Sequence, residues 1–196
     1  LDDKKATGED TISAKLLKAS APVVTSQICD ILNESIRTNT FPNKLKLAQV
    51  KPLRKKNDPQ DMKNYRPVSI SPTISKIFEN VLAQQLSENF ENIFNEHLCA
   101  FRKRHLCHTI LLKLLEDWKQ SLDKRQYAAA ILMDLSKAFD CLAHDILLGK
   151  LAAYGVNEYA NLILKSYLSE RKQQIKLDGN VSDWAEIQKG FHRDRY

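Results

Sequence analysis

The sequence predicts an α+β fold, and three observations carry that reading. Short strand-like runs occur in pairs, Leu47 to Leu53 with Arg66 to Ile70, and Arg171 to Leu177 with Trp184 to Lys189. Longer segments with helical spacing lie before and after them. An apolar run, Tyr127-Ala-Ala-Ala-Ile-Leu132, leads into Met133-Asp134 and reads as a buried strand delivering a carboxylate to its exposed end. The order is helices and a hairpin, then the acid-bearing strand, then helices and a second hairpin, which fits segregated helices and strands in an α+β fold.

The elements follow in chain order. Residues 11–37 carry helical spacing, with Pro22 near the start of a second helix and the polar Thr38-Asn39-Thr40 ending it. Leu47 to Leu53 alternates around Val50 as a strand does. Arg54 to Lys63 is a charged, proline-containing loop, so Arg66 to Ile70 can return as the second strand of a hairpin. Ser71-Pro72 reads as an N-cap followed by proline at the first helical position. Ile74, Phe78, Val81, Leu82 and Leu86 then keep one apolar face. Leu111, Leu114, Leu115, Trp118 and Leu122 mark another amphipathic helix, and two more are expected over 144–154 and 158–168. The last strands turn around Asp178-Gly179-Asn180. There is no internal repeat and no low-complexity segment.

Composition narrows the function. The chain has 196 residues, enough for one large domain or two small ones with a real core, and 43% hydrophobic content with few glycines and prolines excludes a disordered chain. A net charge of +6 favours an anionic partner, nucleic acid first. No run of about 18 apolar residues is present to cross a membrane, and no targeting signal is visible. Cys29, Cys99, Cys107 and Cys141 are scattered, which suits free thiols in a reducing compartment. His97, Cys99, His105, Cys107 and His108 have zinc-ligand chemistry, but their spacing matches no common finger or knuckle. The first residue is Leu1, so the stretch reads as an internal piece of a longer frame.

The chemistry concentrates at Met133-Asp134-Leu135-Ser136-Lys137-Ala138-Phe139-Asp140-Cys141. A rigidly held carboxylate with a second one six residues on suits divalent-metal chemistry on phosphates, because magnesium takes hard oxygen ligands and is held by one or two carboxylates plus substrate phosphates. Such a pair also fits a helix cap or a solvated turn. The wider pattern weighs toward chemistry. The acid run continues through His144, Leu147, Lys150-Leu151 and Tyr154-Gly155. Upstream lie Asn64-Tyr-Arg66-Pro-Val-Ser-Ile70 and Ser75-Lys-Ile-Phe78-Glu79; downstream lies Ser166-Tyr-Leu-Ser-Glu-Arg171. In that order and spacing these motifs resemble the reverse transcriptase domain of non-LTR, LINE-like retrotransposons, from about Lys5 to Gly190.

The resemblance implies a right-hand polymerase: fingers over roughly 1–126 and an incomplete palm over roughly 127–190. It implies an RNA template, a DNA primer and deoxynucleoside triphosphates as partners, Mg²⁺ (or Mn²⁺) as cofactor in the complete domain, and an intracellular place in nucleus and cytoplasm. Asp134 matches the first metal-binding aspartate, and Leu135 would add its backbone carbonyl as a ligand. Phe139 matches the aromatic under the incoming sugar, where a ring clashes with a 2′-hydroxyl; from the residues alone it reads first as a core aromatic. Asp140 is expected as a cap of the following helix rather than a ligand. Arg66 and Lys55 match the triphosphate-binding cations of the fingers hairpin, with Arg54 and Lys56 as rivals for the lysine's part. Phe101-Arg102-Lys103 matches a template-strand motif: Phe101 stacks on a base and Arg102 reaches a phosphate. Ala100 stands where that motif usually has glycine.

After Gly190 the resemblance stops. Phe191 to Tyr196 stand in place of a Val-Pro-Gln-Gly-Ser-like segment, so residues 191–196 are expected to be an out-of-frame tail. The paired aspartates that complete the metal site, the rest of the palm and the thumb are not in this stretch. The reading is therefore a fragment of an RNA-directed DNA polymerase, inactive alone. The alternatives are a non-catalytic nucleic-acid-binding remnant and, more weakly, a metal-dependent phosphohydrolase built on Asp134 and Asp140, for which no motif supplies a third carboxylate or a base.

Overall fold

A computed structural model describes residues 2–3, 6–55, 58–95, 97–100, 102, 106–135, 138–177 and 179–190, with Lys63 as backbone only. The chain divides into two compact units, one formed by residues 1–84 with 137–196 and the other by residues 85–136.

The first unit begins with α1 (Ala14–Ala19), capped by the Ser13 hydroxyl, which accepts from the Leu16 amide at 3.1 Å. α2 (Ala21–Arg37) follows, with Pro22 in its first turn, where a missing N–H costs nothing. It stops at Thr38-Asn39, and Asn39 takes the left-handed conformation at φ 53°, which asparagine tolerates. A 3₁₀ turn, Asn43–Lys46, leads into β1 (Leu47–Arg54). β2 (Tyr65–Ile70) returns antiparallel, with Val50 opposite Ser69 and Leu53 opposite Arg66. The expected hairpin is present. α3 (Thr73–Phe90) starts at Thr73, one residue later than the Ser-Pro signal predicts. Pro72 therefore stands before the helix and its carbonyl accepts from Lys76 N–H at 3.3 Å.

α5 (His144–Ala153) and α6 (Glu158–Leu168) fall where the spacing puts them, and Asn157 caps α6 by accepting from Ala160 N–H at 2.8 Å. β3 (Lys172–Leu177) then pairs antiparallel with both β4 (Asn180–Val181) and β5 (Ala185–Glu186). It also pairs parallel with β1, Leu47 opposite Lys172 and Val50 opposite Ile175. That pairing fuses the two hairpins into one five-stranded sheet, ordered β2-β1-β3-β4 with β5 also on β3.

The core of this unit collects around Phe41, which is fully buried. Its ring lies 4.8 Å from that of Phe78 and edge-on to Tyr167 at 5.0 Å, both favourable aromatic arrangements. Leu32 of α2 and Leu82 of α3 complete the buried cluster. Backbone polar groups at its border are satisfied: Phe41 N–H donates to Ser166 Oγ at 2.9 Å, and Ser75 Oγ donates to the Leu45 carbonyl at 3.0 Å.

The second unit holds the end of α3, a turn region, α4 (Cys107–Asp123) and residues 124–136. α4 is amphipathic as expected, yet none of its residues is buried. The strand expected over 127–132 does not form. Those residues are in no strand, and Tyr127, Ile131, Leu132 and Met133 are exposed, Ile131 by 87% and Leu132 by 92%. The reason is hydrogen bonding: an extended run becomes a strand only beside another, and the five strands of the described residues all pair with one another in the first unit. Among the described residues no helix is long and apolar enough to cross a membrane.

Candidate active site

In the first unit the hairpin sets the cations. Arg66 is exposed on β2, directly opposite Leu53 and two places from the Lys51–Val68 pair, so alternation puts Lys51, Leu53 and Arg66 on one face of the sheet. Lys55 extends the register by one step: its N–H donates to the Asn64 carbonyl at 2.7 Å, and its side chain is exposed. The loop between the strands is tied by its own residues. Tyr65 Oη donates to the Pro59 carbonyl at 2.8 Å, Asn64 Nδ2 donates to the Asp58 carbonyl at 3.0 Å, and Gln60 N–H donates to Asp58 Oδ1 at 2.9 Å. The hairpin therefore presents Arg66 and Lys55 from a braced turn. Lys56, the rival for the lysine's part, lies outside the described residues, while Arg54 is exposed on the opposite face, across from Tyr65.

Phe139 and Asp140 also belong to the first unit. Both are exposed, Phe139 by 47%, so the ring is not a core aromatic. The expectation that Asp140 caps the next helix is corrected: the N-cap of α5 is Ala143, with no side-chain cap, because Asp140 stands four residues before the helix. The backbone of this turn meets Gly190. Gly190 N–H donates to the Leu142 carbonyl at 2.9 Å, and His144 Nε2 lies 2.8 Å from the Gly190 carbonyl.

In the second unit, Asp134 and Leu135 are exposed and lie in no helix or strand. Both offer hard oxygen donors, the Asp134 carboxylate and the Leu135 carbonyl. Among the described residues, however, no three histidines, cysteines, aspartates or glutamates gather as a metal would need. One carboxylate and one carbonyl do not make a two-metal centre. The zinc-type grouping around His97 and Cys99 forms no such set among the described residues, and His105 lies outside them.

Arg102 is committed elsewhere than its motif predicts. Its side chain is only 11% exposed, paired with Glu91 at 2.7 Å. It donates at 3.3 Å to the carbonyls of Asn95 and Leu98, and its guanidinium sits 5.6 Å from the centre of the Phe94 ring. That geometry staples the turn after α3, and a template phosphate would have to displace it. Phe101 lies outside the described residues.

Residues 53–192 match the reverse transcriptase (RNA-dependent DNA polymerase) family. The chain belongs to that family. It is 30% identical over 183 residues to a probable RNA-directed DNA polymerase from transposon X-element of Drosophila melanogaster, covering 92% of this chain and 20% of the relative. Its identity is 28% over 182 residues to a probable RNA-directed DNA polymerase from transposon BS of the same fly, covering 91% and 20%. The RNA-directed DNA polymerase from mobile element jockey aligns at 26% over 190 residues, covering 95% and 21%. These relatives place this reverse transcriptase segment with non-LTR, LINE-like elements, and it spans about a fifth of their length.

Two features of this segment escaped the sequence reading. The contact of Gly190 with the acid turn needs a positive φ that no letter code displays, although His144 stands inside the motif run. Arg171, also a motif residue, proves fully buried, and Lys46 beside it is buried too; burial pushes the Lys46 ammonium below its ordinary pKa, Glu170 opposing.

Proposed function

We propose that this segment supplies the fingers (residues 1–126) and the first part of the palm (127–190) of an RNA-directed DNA polymerase. In this reading Arg66 and Lys55 grip the triphosphate of an incoming deoxynucleotide, Phe139 lies under its sugar, and Phe101 and Arg102 lie along the template. Asp134 and the Leu135 carbonyl are what the segment brings to the metal site; carboxylates from beyond it must complete the binding of Mg²⁺ or Mn²⁺. The observation that supports this best is the β1–β2 hairpin inside the family match, which holds an exposed Arg66 in fixed register. A guanidinium there can take two phosphate oxygens at once, which an ammonium cannot.

The test is deoxynucleotide binding to this chain by calorimetry. Charge-assisted hydrogen bonds contribute about 1.5–3 kcal/mol, so Arg66→Ala should weaken binding roughly ten- to a hundredfold. Arg54→Ala, on the other face, should leave it within about twofold. Equal loss from both variants overturns the assignment of Arg66.

The net charge of +6 and the exposed cations Lys51, Lys55 and Arg66 support a second reading, nucleic-acid binding without catalysis. It predicts no primer extension with either metal, and binding of single-stranded RNA that falls steeply with salt as neutralised phosphates release counterions. Incorporation that Asp134→Ala abolishes would rule it out.

A further inference from the structure

We propose that His144 is a positioning residue: it clamps the turn carrying Phe139 and Asp140 onto Gly190 and thereby sets where the Phe139 ring stands. The part concerning the ring rests on the reading of Phe139 as the sugar-facing group.

Four observations converge on the clamp. Gly190 is buried and holds φ at +77°, a conformation side chains other than glycine's rarely adopt. A Cβ at 190 would lie 2.6 Å from the Phe139 carbonyl oxygen, 2.7 Å from that of Asp140 and 2.8 Å from Asp140 Cα. All three atoms are backbone, so no flexible side chain can yield. The main chain at 190 is thus pressed directly against the peptide units of Phe139 and Asp140. Both polar groups of Gly190 are then taken by the same segment, its N–H by the Leu142 carbonyl at 2.9 Å and its carbonyl by His144 Nε2 at 2.8 Å. The carbonyl can only accept, so His144 must carry a proton on Nε2. His144 is also the first residue of α5. One side chain therefore fastens the start of the helix to the backbone at Gly190, and that backbone lies against the turn.

A histidine that merely satisfied a helix start would affect overall stability. The position of this one predicts a local effect, because the backbone it holds in contact is that of Phe139 itself. The two consequences are separable by experiment on the 196-residue chain. His144→Ala removes the donor, whereas His144→Gln keeps an amide nitrogen able to reach the same carbonyl. The first measurement is residue-resolved amide exchange. Loss of one hydrogen bond should speed exchange of the Gly190 amide roughly five- to tenfold in His144→Ala, leave Val50 in β1 unchanged, and return to within about twofold in His144→Gln. The second is the affinity ratio for dGTP over GTP by calorimetry. His144→Ala should bring that ratio toward one, with His144→Gln retaining the wild-type preference. Unchanged Gly190 exchange in His144→Ala overturns the clamp. Faster exchange with an unchanged sugar ratio overturns the positioning role. A wild-type chain that binds dGTP but does not distinguish the two sugars overturns the reading of Phe139 instead, and the exchange result still decides the clamp. Gly190→Ala is a harsher check, expected to reproduce both effects of His144→Ala if it folds.

Discussion

Replacing Glu79 with glutamine should harm this protein more than removing the arginine that Glu79 faces. Arg171 stands just before β3 with its side chain 2% exposed, and its Nη2 is 3.7 Å from Glu79 Oε1. Nη1 donates to the Tyr167 carbonyl at 3.1 Å, and the guanidinium carbon lies 4.5 Å from the centre of the Tyr167 ring. Among the described residues Nε and Nη2 find no hydrogen-bond partner, so the buried cation is held chiefly by charge and by the ring. At 3.7 Å and an effective dielectric near 20, two unit charges attract by about 4–5 kcal/mol. Burying a guanidinium costs several kcal/mol, so the pair roughly breaks even. Glu79→Gln keeps the shape, and the contact at 3.1 Å with Ser75 Oγ, but deletes the compensating charge. Because the Glu79 side chain is itself 22% exposed, its loss falls at the low end of the range for an orphaned buried ion, about 3 kcal/mol. Arg171→Met removes the cation and its cost together, fills similar volume and should lose no more than about 1.5 kcal/mol. The double variant should lie within about 1 kcal/mol of Arg171→Met alone, since no orphaned charge remains. Urea unfolding with linear extrapolation reads all four proteins, provided the slope is constant across them. If Glu79→Gln proves no more damaging than Arg171→Met, Arg171 is not held by that carboxylate.

The other expectations come from different parts of the fold. Phe41→Ala should cost about 3–5 kcal/mol in the same urea assay, because the ring is fully buried and in contact with two aromatics; a loss below about 1 kcal/mol would mean that the site collapses. Lys46 has a folded pKa below its ordinary 10.5, so between the two values the unfolded chain binds the extra proton and stability should rise with pH across that alkaline window. Lys46→Met should flatten the rise, and a slope identical to wild type contradicts the account. The exposed run Tyr127, Ile131, Leu132 and Met133 lies in no strand among the described residues and offers apolar side chains. The chain should therefore self-associate with concentration in sedimentation, less so as Ile131→Lys, and a wild type that stays monomeric throughout would refute this.

Local signals in the sequence were sufficient for the helices and the first hairpin. Pro22 acts at one helix start through its own peptide unit, and its effect is visible in a few letters. The apolar run before Asp134 misled because hydrophobicity specifies burial in a strand only when a partner strand is available. The parallel pairing of β1 with β3 was illegible for the opposite reason. Lys172-Gln-Gln-Ile-Lys-Leu177 looks like a polar edge, and its neighbour lies more than a hundred residues away in the sequence. Arg102 shows the same limit at the site. Its motif suits phosphate, but its partners are Glu91 and two carbonyls of its own turn, and a free cation and a staple look identical in sequence.

That long-range pairing is what makes the first unit one mechanical piece. Starting at the acid turn, Gly190 presses on the backbone of Phe139 and Asp140. Three residues before it, Ile187 N–H donates to the Arg171 carbonyl at 2.9 Å, where β5 runs beside β3. β3 pairs with β1, and β1 holds β2 in the register that sets Arg66 opposite Leu53. The candidate sugar-facing ring and the candidate phosphate-binding arginine are thus joined by an unbroken run of backbone contacts. Each hydrogen bond alone contributes about 1 kcal/mol, but strand register cannot shift by a fraction of a residue. A one-residue slip between β1 and β3 would turn the side chains of β1 to the opposite face relative to β3. Placement of Phe139 and Arg66 within one unit therefore depends less on the strength of any bond than on the discreteness of the register.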